Sequence, residues 1–371
     1  MADLTEIFAR YGPAYLAKYG PAILPSHRRA MADILRCRTP AMGGQVFRCD
    51  RCGYTHYVYH SCRNRSCPRC HQQQTRDWLE ERRRELLAVP YFHVVLTVPD
   101  TLHAAMRSRQ MELYDVLLSA AGWSLLELSA DPHYVGGTVG VLAVLHTWGR
   151  TLTYHPHVHA LVTGGGLDPG TREWRPARTH YLVPVKALSV VFRRRFRELL
   201  GAKLPTLKIP SSVWRVPWVV NCQPVRGGAE RVLNYLAGYV HRIAISNDRI
   251  LSADHDQVRF RYQDTRDGQW KVMTLTAQEF IRRFLQHVLP QGFHKIRYYG
   301  LWTPGQRCRL RRLQLLLGST ENAQTGPAPA IGTASLIPTA PGTLFTDRTC
   351  PCCRRGALVY TDRLPPQRAP P

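Results

Sequence analysis

Two Cys-x-x-Cys pairs, Cys49/Cys52 and Cys67/Cys70, with fourteen residues between them, constrain this chain more than any other feature. Each pair puts two thiolates on one tight turn, and two such turns can close a tetrahedral Zn2+ site. Residues 37 to 75 are rich in Cys, Arg and His but poor in aliphatics, so a metal must stand in for a hydrophobic core there. The expected structural zinc ligands are Cys49, Cys52, Cys67 and Cys70. Cys62 either replaces one of them or belongs to a second, incomplete site, and Cys37, His56, His60 and His71 are spare candidates. A site closed by four thiolates leaves no position for water or substrate, which makes it structural. The chain has 11 cysteines, an odd number, and their clustering suits metal binding in a reducing compartment better than a disulfide framework. Cys350-Pro-Cys352-Cys353 is one more knuckle without a downstream partner: it binds zinc with help from elsewhere, or it is vestigial.

The charge points to a polyanionic partner. Lys and Arg number 50 against 26 Asp and Glu, a net +24, and 44 of the cations are Arg, whose planar fork matches phosphate oxygens. Arg48, Arg51, Arg63, Arg65 and Arg69 surround the knuckles. Two helical segments carry basic bands, Arg82, Arg83 and Arg84 in the first and Arg193, Arg194 and Arg195 in the second, offered as DNA phosphate contacts together with Arg242. No apolar run approaches the roughly 20 residues that span a bilayer, and the start has no basic n-region or cleavage site. The expected location is the cytoplasm of a bacterium, on the nucleoid when bound to DNA, with no membrane partner and no small-molecule substrate. The oligomeric state is not legible.

Periodicity gives an α+β chain. Helical spacing runs through the first 36 residues, with Leu4, Ile7, Phe8 and Tyr15 on one face, and returns in TRDWLEERRRELLAV, Met111 to Leu128, VVFRRRFRELLGAKL and about Gly228 to Arg242. Strand character marks YFHVVLTVP, GVLAVLHTW, VHALVTGG and VWRVPWVVNCQPV, and VRFRYQD with WKVMTLT reads as a hairpin before the amphipathic AQEFIRRFLQHVLP. The expected division is a helix and zinc-binding unit at 1–75, a central domain at 76–250, a hairpin and helices extending DNA binding at 251–317, an Ala/Thr/Pro/Gly linker at 318–349 and a tail at 350–371.

Two motifs carry chemistry. In HPHVHALVTGGG, His157 and His159 leave the same face of a strand about 6 to 7 Å apart, close enough to share one divalent ion. His155 has the same parity but lies about 13 Å from His159 on a straight strand, and is excluded from the ligand set. In GGAERVLNYLAGYVHRIAIS, Tyr235 and Tyr239 stand at i and i+4 on a helix, beside an apolar stripe of Val232, Leu236, Val240 and Ile243. A tyrosyl oxygen attacks phosphorus poorly unless the phosphate is held and its charge offset, which a metal on two histidines does. Tyr154 is the fallback nucleophile.

HPHVH followed by YLAGYVHRIAISNDRI, behind a doubled Cys-x-x-Cys head, resembles the IS91-type transposases, two-tyrosine members of the HUH-nuclease superfamily. The similarity runs from SHRRAMADILRCRT to FLQHVLPQGFHKIRYYG. It implies a palm of antiparallel sheet with helices packed on it, preceded by a small zinc-knuckle domain. It further implies a rolling-circle transposase that cuts single-stranded DNA and leaves a 5′-phosphotyrosine and a free 3′-hydroxyl. Tyr235 and Tyr239 are then nucleophiles, and His157 and His159 ligands of Mg2+ or Mn2+, with His146 or His241 as a third polar ligand. The order of the motifs is that of replication-initiator-like nucleases and runs opposite to most conjugative relaxases. Two alternatives remain: a zinc-dependent DNA-binding protein without catalysis, and a plasmid rolling-circle replication initiator with the same chemistry.

Overall fold

A computed structural model describes residues 2–225, 232, 243–264, 266–321 and 349–367 of the chain. Tyr235, Tyr239, His241 and Arg242 lie outside the described residues.

The N-terminal part begins with α1 (Leu4–Tyr19) and α2 (Pro25–Arg36). Asp3 caps α1 by accepting from the Glu6 amide at 2.8 Å, and Pro25 opens α2 where its missing N–H costs nothing. Leu4, Ile7, Phe8 and Tyr15, the face read from the sequence, are buried. A short antiparallel pair follows, β1 (Gly44–Cys49) and β2 (Thr55–Tyr59), and then α3 (Pro68–Arg83).

The centre is a six-stranded antiparallel sheet. Its members are β3 (Tyr91–Thr97), β4 (Thr138–Trp148), β5 (Tyr154–Leu167), the short β6 (Trp174–Pro176), β7 (Val220–Val225) and β11 (Ile296–Gly300). They run in the order β11-β4-β5-β3-β7, with β6 paired to β5. Between β3 and β4 come α4 (His103–Ser108) and α5 (Gln110–Ala130), and α6 (Val185–Lys203) precedes β7.

Strand alternation sends the sheet's side chains to two faces. Phe92, Val94 and Leu96 of β3 join Val158, Ala160 and Val162 of β5 under α5 and α6, where Leu117, Ala121, Phe192 and Phe196 are fully buried. The other parity carries Tyr91, Leu142, Val144 and Leu161, packed against Trp302, Leu310, Leu313 and Val232. His93, His146, His157 and His159 share the parity of this second face. The implied palm, an antiparallel sheet with helices packed on it, is what the chain forms.

Part of one expected strand is absent. In VWRVPWVVNCQPV only Val220–Val225 pairs, and Ser211–Trp214 makes a 3-10 turn. Pro217 lacks the N–H a ladder needs, and Trp218 turns inward instead, its ring 5.1 Å from both Phe192 and Phe196.

The expected hairpin is present as β9 (Gln257–Gln263) with β10 (Trp270–Thr276), extended by β8 (Ile250–Asp254), and α7 (Ala277–Leu285) follows it. These elements share one buried core with α1 and α2: Phe8 meets Phe284 edge-on at 5.5 Å, among Phe260, Phe280, Ile7 and Ile34. After α8 (Arg307–Glu321), β12 (Leu358–Leu364) pairs antiparallel with β1. The tail is thereby the third strand of the N-terminal sheet rather than a separate appendage.

Candidate functional site

The register places the histidines. His146 of β4 lies directly opposite His157 of β5, and His159 follows two residues on along the same face. The ligand nitrogens of His146, His157 and His159 all lie within 4.8 Å of one another. His146 is 2% exposed and stacks on Trp148 at 4.7 Å. Of the two residues considered as a third ligand, His146 is brought to the pair, whereas His241 lies outside the described residues.

Hydrogen bonds orient the rings. His157 Nδ1 donates to the His155 carbonyl at 2.7 Å, which leaves Nε2 as an acceptor. His159 Nδ1 faces His93 Nε2 at 2.8 Å, and the two rings stack 5.1 Å apart. With that proton on His159, its Nε2 is also an acceptor, and it meets His157 Nε2 at 3.0 Å. Two ring nitrogens this close share either a proton or a metal ion, and a ligating imidazole whose other N–H is tied to a carbonyl or a second group is the usual arrangement at metals. Burial holds His93 near pKa 4, hence neutral and able to accept. His93 escaped the sequence reading because only strand order reveals that β3 borders β5; its parity within YFHVVLTVP was the available signal.

The cysteines form two groups, and neither is the one expected from the doubled knuckle. Cys67 and Cys70 gather with Cys37 and Cys62, while Cys49 and Cys52 gather with Cys350 and Cys353. The reason is topological: β1 and β2 carry the first knuckle away to meet the tail, and α3 keeps the second against the end of α2. Sulfur separations are 3.5 Å for Cys37–Cys70 and Cys62–Cys70, and 3.7 Å for Cys49–Cys353 and Cys52–Cys350. These are far beyond a disulfide and near the edge of about 3.8 Å in a tetrahedron of 2.3 Å zinc–sulfur bonds. Among the described residues, each group is cysteine alone, and both fit Zn2+. In the first, bonds from Cys37, Cys62 and Cys67 lower the Cys70 thiol below its usual range. In the second, Gly356 lies so near that an added Cβ would come within 2.4 Å of Cys49 Sγ. Cys352 is exposed and joins neither group, His56 and His60 also stay outside, and the side chain of His71 is not among those described.

The basic bands are largely paired. Arg82 is held by Glu81 at 2.9 Å and Glu85 at 2.6 Å and lies over the Tyr298 ring. Arg194 and Arg195 are clamped between Glu127 and Glu198, and Arg193 donates to the Val216 carbonyl. The α6 band also sits behind the sheet face opposite the histidines. Tyr154 is no reserve nucleophile: it is 8% exposed, its hydroxyl is bonded to that of Tyr114 at 2.7 Å, and burial raises its pKa.

Comparison with known proteins follows the same lines. A family model described as "Putative transposase" matches residues 140–310, a span holding His146, His157, His159, Tyr235 and Tyr239. A second, described as "Transposase zinc-binding domain", matches residues 7–98, with Cys37, Cys49, Cys52, Cys62, Cys67 and Cys70. The chain is 39% identical to "Putative transposase y4qJ" of Sinorhizobium fredii, over 100% of its own length and 97% of the relative's. It is 29% identical to the "Transposase for insertion sequence element IS801" of Pseudomonas savastanoi pv. phaseolicola, over 80% of this chain and 75% of that protein. No solved structure matches.

Proposed function

Because the chain belongs to the IS91-type family of transposases, enzymes that cleave DNA, we propose that it cuts and transfers single-stranded DNA through tyrosine nucleophiles at the histidine centre. Tyr235 and Tyr239 are the nucleophiles, and His146, His157 and His159 hold Mg2+ or Mn2+. When bound, the ion neutralises charge on the scissile phosphate. One tyrosine gives up its phenolic proton and its oxygen bonds to phosphorus. The bond from phosphorus to the 3′ oxygen breaks, that oxygen takes a proton, and a 5′-phosphotyrosine and a 3′-hydroxyl remain. The second tyrosine serves a further transfer, as rolling-circle transposition requires. The two cysteine groups hold Zn2+ and stabilise the N-terminal part.

The observation that carries this reading is the convergence of His157 and His159, both tied at Nδ1 and both presenting Nε2, with His146 beside them. Val232, three residues before Tyr235, is 1% exposed and buried on the sheet face that bears these histidines, which supports pairing the two motifs.

The test is a covalent adduct with labelled single-stranded oligonucleotides from the element's termini, in Mg2+ or Mn2+. The native chain should form it, and His157→Ala with His159→Ala should not. Tyr235→Phe with Tyr239→Phe should bind the same DNA without linking to it. An adduct in the double phenylalanine variant overturns the proposal.

A further inference from the structure

A second cluster of ligating groups lies next to the histidine centre. Asp100, His103 and His155 place a carboxylate oxygen and two imidazole nitrogens within 4.8 Å of one another. Two separate stretches of chain build it. Asp100 opens the 3-10 turn after β3, His103 begins α4 three residues later on the same side, and His155 stands on β5 one residue before Pro156. The His103 and His155 rings are 6.1 Å apart and nearly perpendicular.

His103 supplies the second observation. Its Nε2 is buried and makes no hydrogen bond, and Asp100 Oδ1 stands 3.4 Å away at ion-pair distance. A buried ring nitrogen without a hydrogen bond costs stability, and an ion held between it and the Asp100 carboxylate would satisfy both. Asp100 is exposed, with 88% of its side chain open, whereas His103 shows 14%, so the cluster opens on its carboxylate side. The site is separate from the first centre yet adjoins it: the His155 and His157 rings are 5.1 Å apart, and the His155 carbonyl accepts from His157 Nδ1.

We propose that Asp100, His103 and His155 form a second divalent-cation site. Two imidazoles and one carboxylate suit Mn2+, Co2+ or Zn2+ better than Mg2+, and a three-ligand set leaves positions open to water or a phosphate oxygen. The sequence argument excluded His155 because it cannot reach the ion of His157 and His159; it is instead the ligand of a neighbouring ion. The assignment does not rest on tyrosine chemistry, since counting bound metal needs neither DNA nor a nucleophile.

The test counts Mn2+ by electron paramagnetic resonance on the full chain with its cysteine groups loaded with zinc. The native chain should take two Mn2+, and His103→Ala should take one. Asp100→Asn, at an exposed position where folding is not at stake, should weaken one of the two by at least about tenfold. His157→Ala with His159→Ala should lose the other Mn2+ and keep the one at Asp100, His103 and His155. A native Mn2+ count that His103→Ala leaves unchanged in number and affinity overturns the proposal, whether that count is one or two.

Discussion

His93 reaches across from β3 to fix the ring of His159 with a 2.8 Å bond. Removing such a partner typically costs a ligating histidine about 10- to 100-fold in metal affinity. His93→Ala should therefore weaken Mn2+ binding at the histidine centre by that order, with an unchanged circular dichroism spectrum, and His93→Gln, whose amide oxygen can still accept, should recover part of it. A titration that finds His93→Ala equal to the native chain rules out this positioning role. At this scale the sequence shows ligands that neighbours along one strand can reveal. His157 and His159 are legible because a strand's period of two is local. His93 and His146 are placed by strand order, and Cys37 by the meeting of the end of α2 with the start of α3, neither of which spacing encodes.

Among the elements, β12 was hardest to foresee. Its sequence follows a charge-poor linker, and its partner β1 lies about 320 residues earlier, as in the pairing Gly44↔Leu364. No local pattern could join Cys350 and Cys353 to Cys49 and Cys52, so the doubled knuckle misled in favour of the nearer pair. A chain ending at residue 348 should keep one of two zinc ions, measured per chain after exhaustive dialysis, with the loss confined to the group at Cys49. Retention of both ions would show that β12 contributes no ligands. The helix α7 was legible from its amphipathic spacing, and it carries a pH-dependent clamp. Bonds from Arg282, then Arg283, lower the Glu279 carboxyl to about pKa 2. Because the folded value lies below the unfolded one, the stabilisation is present above about pH 4.5 and is lost as pH falls through about 2. With 31% of the Glu279 side chain exposed, solvent screening reduces the effect to about 1 kcal/mol. Glu279→Gln should lower stability by that amount in urea unfolding at pH 7, and the gap should shrink below about pH 4.5 and close as pH approaches 2; a gap independent of pH would remove the clamp.

At the scale of the molecule, the net +24 announced a nucleic-acid partner, and the family bears that out. The charge did not say where DNA lies. Ion pairs occupy much of the α6 band, on the side of the sheet away from the histidines, so the surface around β4 and β5 is the better candidate for the reacting strand. No described helix is long and apolar enough to cross a membrane. The α+β make-up was legible from alternation and the antiparallel palm from the family resemblance, while the shared core of α1, α2 and α7 was not, because it joins segments some 270 residues apart. What unites these levels is one chemical claim: a tyrosine of the GGAERVLNYLAGYVHR segment becomes joined to DNA beside a metal held by His146, His157 and His159. The most direct measurement is to form the adduct on a short oligonucleotide with Mn2+, digest protein and DNA, and locate the nucleotide-bearing residue by mass spectrometry. The expected result is a phosphate-linked nucleotide on Tyr235 or Tyr239, absent when Mn2+ is withheld. A nucleotide on any other residue, or an adduct that forms equally well without a divalent ion, would contradict it.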